Sequence, residues 1–290
     1  MSEGFASVPG GRVWYRTNGE GGTTLLCLHG GPGFPHDYIE TLADLADERA
    51  VVFFDQLGCG RSERPSDEEL WRKERFVEEV AAVREELGLE RVHVLGQSWG
   101  GLLALEYALT RPEGLVSLTF ASPVISVPRW IDDAHRLLDA MPADVQDVIK
   151  RHEDSGFTDC LEYAAASLAY WKRHVCRLDP WPESLERAFS GFGVDVYHAM
   201  WGPSEFTCTG NLNGYDPSGR LTELDVPVLW TCGRHDEATP ESIAAFQQAV
   251  RGSQLVVFEE SSHTAHLEER EGYMDVLRAF LREVDATASS

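Results

Sequence analysis

The sequence predicts an α/β architecture: a mostly parallel sheet with helices on both faces, interrupted once by a helical insertion. Three observations predict it. Short apolar, β-prone runs recur along the chain, and helical patterns separate them. The alternation then breaks over residues 123–225, where the sequence becomes helix-like and rich in aromatics, before strand-like sequence returns at Val228. Strands alternating with helices imply βαβ units, hence parallel pairing with helices packed on each face.

In chain order, the first strand candidates are residues 13–16, 24–28 and 50–55. Several of the runs are apolar almost throughout, which suits strands covered on both faces. A helix follows, because Phe76, Val80, Val83 and Leu87 recur at i, i+4, i+7 and i+11 and form one apolar stripe, with Gly88 as its stop. Residues 92–95 and 115–121 read as the next strands, with helix-prone sequence over 102–108 between them. The insertion carries Trp130, Tyr163, Tyr170, Trp171, Trp181, Phe189, Phe192, Tyr197, Trp201 and Phe206. Strands at 228–232 and 255–258 resume the alternation. The expected organisation is a core domain of residues 1–122 and 226–290 with a helical cap domain of residues 123–225 inserted. No internal repeat is visible, and the only biased segment is the polar tail 286–290.

With 290 residues, 43% hydrophobic and 25% charged, the chain is long and apolar enough for a packed, enzyme-sized fold. The 25 Lys and Arg against 48 Asp and Glu leave a formal charge of -23, which excludes nucleic acid as an expected partner. Such a charge serves solubility or salt tolerance, or it steers cationic substrates. The six cysteines form no C-x-x-C pair and no Cys/His cluster at zinc-site spacing, so they are expected to be reduced thiols. The beginning, Met1-Ser2-Glu3-Gly4, lacks a basic and apolar secretory pattern, and no apolar run approaches the roughly 20 residues that span a bilayer. The expectation is a cytoplasmic protein with no membrane partner; assembly state is not legible.

The segment Val92-His93-Val94-Leu95-Gly96-Gln97-Ser98-Trp99-Gly100-Gly101 sets Gly-x-Ser-x-Gly between a strand and a helix. A sharp strand-to-helix turn crowds the neighbours of the serine, so only very small residues fit beside it, and it pushes the hydroxyl out over the sheet edge. This is the nucleophile turn of an α/β-hydrolase fold, and Ser98 is the candidate nucleophile. Attack by serine creates an oxyanion that needs two prearranged donors. The Trp99 backbone N–H is one candidate, and the glycine-rich turn His29-Gly30-Gly31-Pro32-Gly33 after an early strand supplies Gly31 N–H as the other. That loop lacks the G-K-[ST] or G-x-G-x-x-G that would complete a phosphate-binding turn.

A serine hydroxyl also needs a base, and the base needs an acid to hold its tautomer. In this fold the order is Ser, acid, His. Asp236 stands in the loop after strand 228–232, and His263 in the loop after strand 255–258. His235 and His266 compete with His263, but one abuts the acid itself and the other lies further toward the last helix. Glu237 competes with Asp236 by adjacency. A serine at the nucleophile position argues against dehalogenase or epoxide hydrolase chemistry, leaving amide or ester hydrolysis through an acyl-enzyme. No metal and no organic cofactor is called for.

Four separated motifs carry a family resemblance: His29-Gly30-Gly31-Pro32-Gly33, Asp55-Gln56-Leu57-Gly58-Cys59-Gly60-Arg61-Ser62, Gly96-Gln97-Ser98-Trp99-Gly100-Gly101, and Met200-Trp201-Gly202-Pro203-Ser204-Glu205-Phe206. On these the chain resembles the proline iminopeptidase group of serine peptidases, which includes the tricorn-interacting aminopeptidase and bacterial amino-acid amidases. The resemblance implies release of an N-terminal residue, often proline, from a short peptide or small-molecule amide with a free N-terminal amine. It implies that Glu205 of the cap binds the ammonium and that Glu237 is a second carboxylate near the same site. Gly30 of the His29 loop and Trp201 of the cap complete the substrate-binding set it implies. The physics agrees, since a cation desolvated beneath a cap needs charged acceptors. Two readings stand beside it: an esterase, lactonase or specialised amidase that does not require a free amine, and a non-catalytic binding protein on a hydrolase scaffold.

Overall fold

The computed structural model describes residues 1–288. Its single sheet has the strand order β1-β2-β4-β3-β5-β6-β7-β8. The strands are β1 (Ser2–Val8), β2 (Gly11–Asn18), β3 (Thr24–Leu28), β4 (Val51–Phe54), β5 (Val92–Gln97), β6 (Leu115–Ala121), β7 (Val228–Gly233) and β8 (Gln254–Phe258). The pairs β1/β2 and β2/β4 are antiparallel, and every other neighbouring pair is parallel. All seven expected strands fall on β2 to β8. β1 was not expected: among its residues only Ala6 is buried, so an edge strand rich in Ser and Gly shows little hydrophobic pattern. The turn residues Pro9-Gly10, which join it to β2, were its one legible signal.

The helices of the first half are α1 (Lys73–Glu86) and α2 (Trp99–Leu109). Between β6 and β7 come α3 (Val127–Asp139), α4 (Ala143–Ser155), α5 (Leu161–His174), α6 (Glu183–Ser190) and α7 (Val194–Met200), with no strand among the described residues there. α8 (Pro240–Ala249), α9 (Ala265–Glu268) and α10 (Arg270–Ala288) complete the chain. The polar tail read at 286–290 thus begins inside α10, while Ser289 and Ser290 lie outside the described residues. No helix of the described residues is long and apolar enough to cross a membrane.

Strand alternation divides the core into two layers. Leu26, Leu28, Val92, Val94, Phe120 and Trp230 face one side, under α1, α2 and α8; Leu25, Cys27, Val51, Phe53, Leu95 and Leu229 face the other, under α10 and the 3₁₀ segment His36–Asp47. The inserted helices hold a third apolar cluster of their own, including Leu138, Ile149, Tyr163, Tyr170 and Phe206. The stripe predicted on α1 is buried at Phe76, Val80 and Val83 and partly buried at Leu87.

The same helix carries an ion pair that no periodicity announces. Arg75 and Glu79, one turn apart, are fully buried and bonded to each other, and the Glu79 carboxylate also accepts the Leu57 backbone N–H. The pair therefore ties α1 to the loop after β4. Removing one partner of a buried pair strands the other's charge, a loss of about 3 kcal/mol or more. Glu79→Gln is expected to lower stability by about that amount, and replacing the pair by Met and Leu to lower it less; urea unfolding of the two variants measures both.

Candidate active site

At the end of β5 the chain reverses into α2 through Ser98, whose backbone is held at φ 55°, ψ −122°. A non-glycine residue in this region stores about 1–3 kcal/mol, so the surroundings must over-determine it. They do. A Cβ on Gly96 would drive into the carbonyl oxygen of Gly100, and one on Gly100 into that of Leu28 at the end of the neighbouring strand β3. The Ser98 N–H donates to Ala121 O at 3.0 Å, and Ser98 O accepts from Gly101 and Val124.

Because Leu28 pairs with Gly96, the turn after β3 lies beside the serine. The Gly31 and Trp99 N–H groups, the expected oxyanion donors, have no acceptor among the described residues. Gln56 links the segments that carry them: its side-chain amide donates to His29 O at 2.9 Å and its carbonyl accepts the Trp99 indole N–H at 2.9 Å. The Gln56 backbone N–H donates to His29 Nε2 at 2.8 Å, and burial lowers the His29 pKa to about 4. His29 is therefore neutral, with its proton on Nδ1 facing Gly30 O.

His263 enters from the loop after β8. Its Nδ1–H donates to Asp236 Oδ1 at 2.8 Å, while that carboxylate also accepts the N–H groups of Ala238 and Gly233 at 2.8 and 3.2 Å. Fully buried and bonded on both oxygens, Asp236 is held as an acceptor, which leaves Nε2 of His263 as the free ring nitrogen. Glu237 lies on that other side of the ring, its Oε1 3.8 Å from Nε2. Of the rival histidines, His235 is exposed and offers its backbone oxygen to His174, whereas His266 is buried with Nε2 on Tyr38 O. Ser117, His93 and Asp285 also form a hydrogen-bonded Ser–His–Asp trio, but Ser117 is sealed inside the sheet and the trio joins α10 to the core.

A cavity of about 300 Å³ opens over Ser98 and His263. Gly31, Trp201, Glu205 and Glu237 also line it, as do Tyr38, Gln97, Trp130 and Tyr197, which sequence reading did not single out as site residues. Trp130 stands edge-on to the His263 ring at 5.6 Å. Asp236 sits behind His263, and the Trp99 side chain is buried away from the cavity. Gly30 does not line it either: its N–H is bonded to Tyr38, and a Cβ there would press on Ser98 at 3.0 Å, so its absent side chain makes room for the serine.

The carboxylates of the cavity are out of balance. Burial pushes Glu205 above the ordinary range, against the nearby His263 and the Tyr197 hydroxyl, which donates to it at 3.3 Å. Burial pushes Glu237 well above that range, and the charges of Glu205 and Asp236 push it further. Glu237 Oε2 is buried with no hydrogen-bond partner, and no Lys or Arg of the described residues lines the cavity.

The family model described as alpha/beta hydrolase fold matches residues 23–270. The chain is 47% identical over 286 residues to a proline iminopeptidase of Heyndrickxia coagulans, covering 98% of this chain and 99% of that protein. Among solved structures it is similar to VinJ, with a TM-score of 0.94 and 35% identity over 98% of this chain and 99% of that one. A proline iminopeptidase of Mycobacterium smegmatis superposes with a TM-score of 0.91 and 36% identity, over 99% of this chain and all of that one. On these matches the chain belongs to the proline iminopeptidase family of α/β hydrolases.

Proposed function

We propose that this chain is a serine aminopeptidase that removes an N-terminal residue, proline or another small apolar one, from short peptides or amino-acid amides. The observation that carries the reading is the composition of the cavity: two carboxyl groups, one with a bare buried oxygen, beside a serine and a histidine and without a Lys or Arg. Buried anions without a partner are unfavourable, so such a cavity favours a cationic group of the substrate. A free ammonium held by Glu205 and Glu237 meets that need and leaves the adjacent carbonyl over Ser98. The names of the relatives support proline as the first residue, and Trp130, Val124 and Trp201 supply apolar walls for its ring.

In this reading His263 Nε2 takes the Ser98 proton as the hydroxyl attacks the carbonyl carbon. Asp236 fixes the tautomer and stabilises the imidazolium. The N–H groups of Gly31 and Trp99 receive the oxyanion, His263 then protonates the leaving amine, and water attacks the acyl-enzyme by the same proton path.

An enzyme that needs the free amine loses most of its activity when that amine is blocked. N-acetylation of a prolyl arylamide is expected to lower kcat/KM on the order of 100-fold or more, and Glu205→Gln to raise KM for the free-amine substrate on the order of 10-fold or more. Equal turnover of the acetylated substrate, as a general esterase or amidase would show, excludes the reading.

The raised carboxyl of Glu237 also makes stability depend on pH. Below the ordinary value of 4.5 the group is protonated in both folded and unfolded chains. Above it the unfolded chain ionises first, so the folded state loses stability as pH rises, until the folded group ionises too. The Tm of Glu237→Gln relative to the unsubstituted protein is therefore expected to rise from pH 4 to pH 8, and free proline or prolinamide to reduce that rise; thermal melts across the range measure it.

A further inference from the structure

Four segments meet in one chain of hydrogen bonds beside the serine. The Gly30 N–H donates to the Tyr38 hydroxyl oxygen at 2.7 Å. That hydroxyl donates to Gln97 Oε1 in a short bond, and Gln97 Nε2 donates to the backbone oxygen of His263 at 3.3 Å. Tyr38 and Gln97 are almost wholly buried, so water does not substitute for their partners. The direction of every link is forced. A backbone N–H can only donate and a backbone carbonyl can only accept, so the phenol must pass its one proton to Oε1 and the amide must turn Nε2 to His263.

We propose that Tyr38 and Gln97 are positioning residues, which register the oxyanion loop and the base against the nucleophile. Gln97 immediately precedes Ser98 and ends β5, so it is fixed to the strained turn. At one end of the chain, Tyr38 holds the peptide that precedes Gly31 N–H; if that peptide rotates, the donor swings off the position where the oxyanion forms. At the other end, Gln97 holds the His263 backbone while Asp236 holds its ring, so the imidazole cannot pivot as a unit. A brace runs in parallel: His266 Nε2–H donates to Tyr38 O at 3.0 Å. Burial holds His266 neutral, with its pKa lowered to about 4, so the brace persists through the neutral range. None of these links makes or breaks a bond of the substrate. Their effect is on where the reacting groups stand.

This inference rests on Ser98 and His263 as the reacting pair, and labelling of the unsubstituted protein at Ser98 by a fluorophosphonate tests that separately: without labelling the underlying reading fails. Tyr38→Phe deletes one oxygen, and Gln97→Met keeps length while deleting both polar ends. For a prolyl arylamide each is expected to lower kcat on the order of 10- to 100-fold with KM within about threefold, because misplacement of about 1 Å has effects of that size. Affinity for a prolyl boronic acid, which forms a tetrahedral adduct on the serine, falls by the same factor as kcat. Affinity for pyrrolidine, which carries the ammonium without a carbonyl, stays unchanged. If Gln97→Met does not fold, Tyr38→Phe carries the test alone. The proposal is overturned if kcat stays within twofold of the unsubstituted protein, or if pyrrolidine and boronate affinities fall together.

Discussion

The constraint on which the rest of this site depends is the strained turn at Ser98. The serine holds φ 55° with its N–H bonded to Ala121 and its carbonyl to Gly101 and Val124, in a turn where the approach of Gly96 to Gly100 and of Gly100 to Leu28 leaves no room for a side chain on either glycine. The turn sits at the carboxyl end of β5, in the middle of the sheet, with β3 on one side and β6 on the other. Parallel strands bring their carboxyl ends to one edge, which is where an open α/β sheet builds its ligand site. The Gly31 loop after β3, Asp236 after β7 and His263 after β8 share that edge with Ser98, so three distant stretches of sequence converge without any long-range instruction beyond strand order.

Over this rigid edge lies a wall of different character. The helices between β6 and β7 contribute Trp130, Tyr197, Trp201 and Glu205, and the loop after β7 adds Glu237. Two carboxyl groups of this wall are held above their ordinary range. Glu237 has a buried oxygen with no partner, two carboxylates as neighbours, and a strongly raised pKa as the consequence. In the function proposed above, it is the substrate's ammonium that relieves all three.

Much of this was legible in the sequence, for identifiable physical reasons. Strands buried on both faces announce themselves as apolar runs, and seven of eight were readable; β1 was not, because one buried alanine makes no pattern. The serine turn was readable because crowding demands glycine on both sides. Asp236 and His263 were readable as candidates from chain order after successive strands. Hydrogen bonds between distant residues leave no such mark. Tyr38, Arg75 and Glu79 drew no reading, Gln56 and Gln97 entered only as members of longer motifs, and Gly30 was expected to touch substrate. In each case the partner lies elsewhere in the chain: Tyr38 with Gln97, Gln56 with Trp99, Glu79 with Leu57. Likewise, only coordinates separate Asp236, on Nδ1, from Glu237, on the far side of the same ring.

The most direct measurement is an experimental structure with free proline bound. The account predicts its ammonium within hydrogen-bonding distance of both Glu205 and Glu237, with its carboxylate over Ser98 and one oxygen on the N–H groups of Gly31 and Trp99. Proline bound the other way round, or with its ammonium among the aromatic side chains and away from both glutamates, contradicts it.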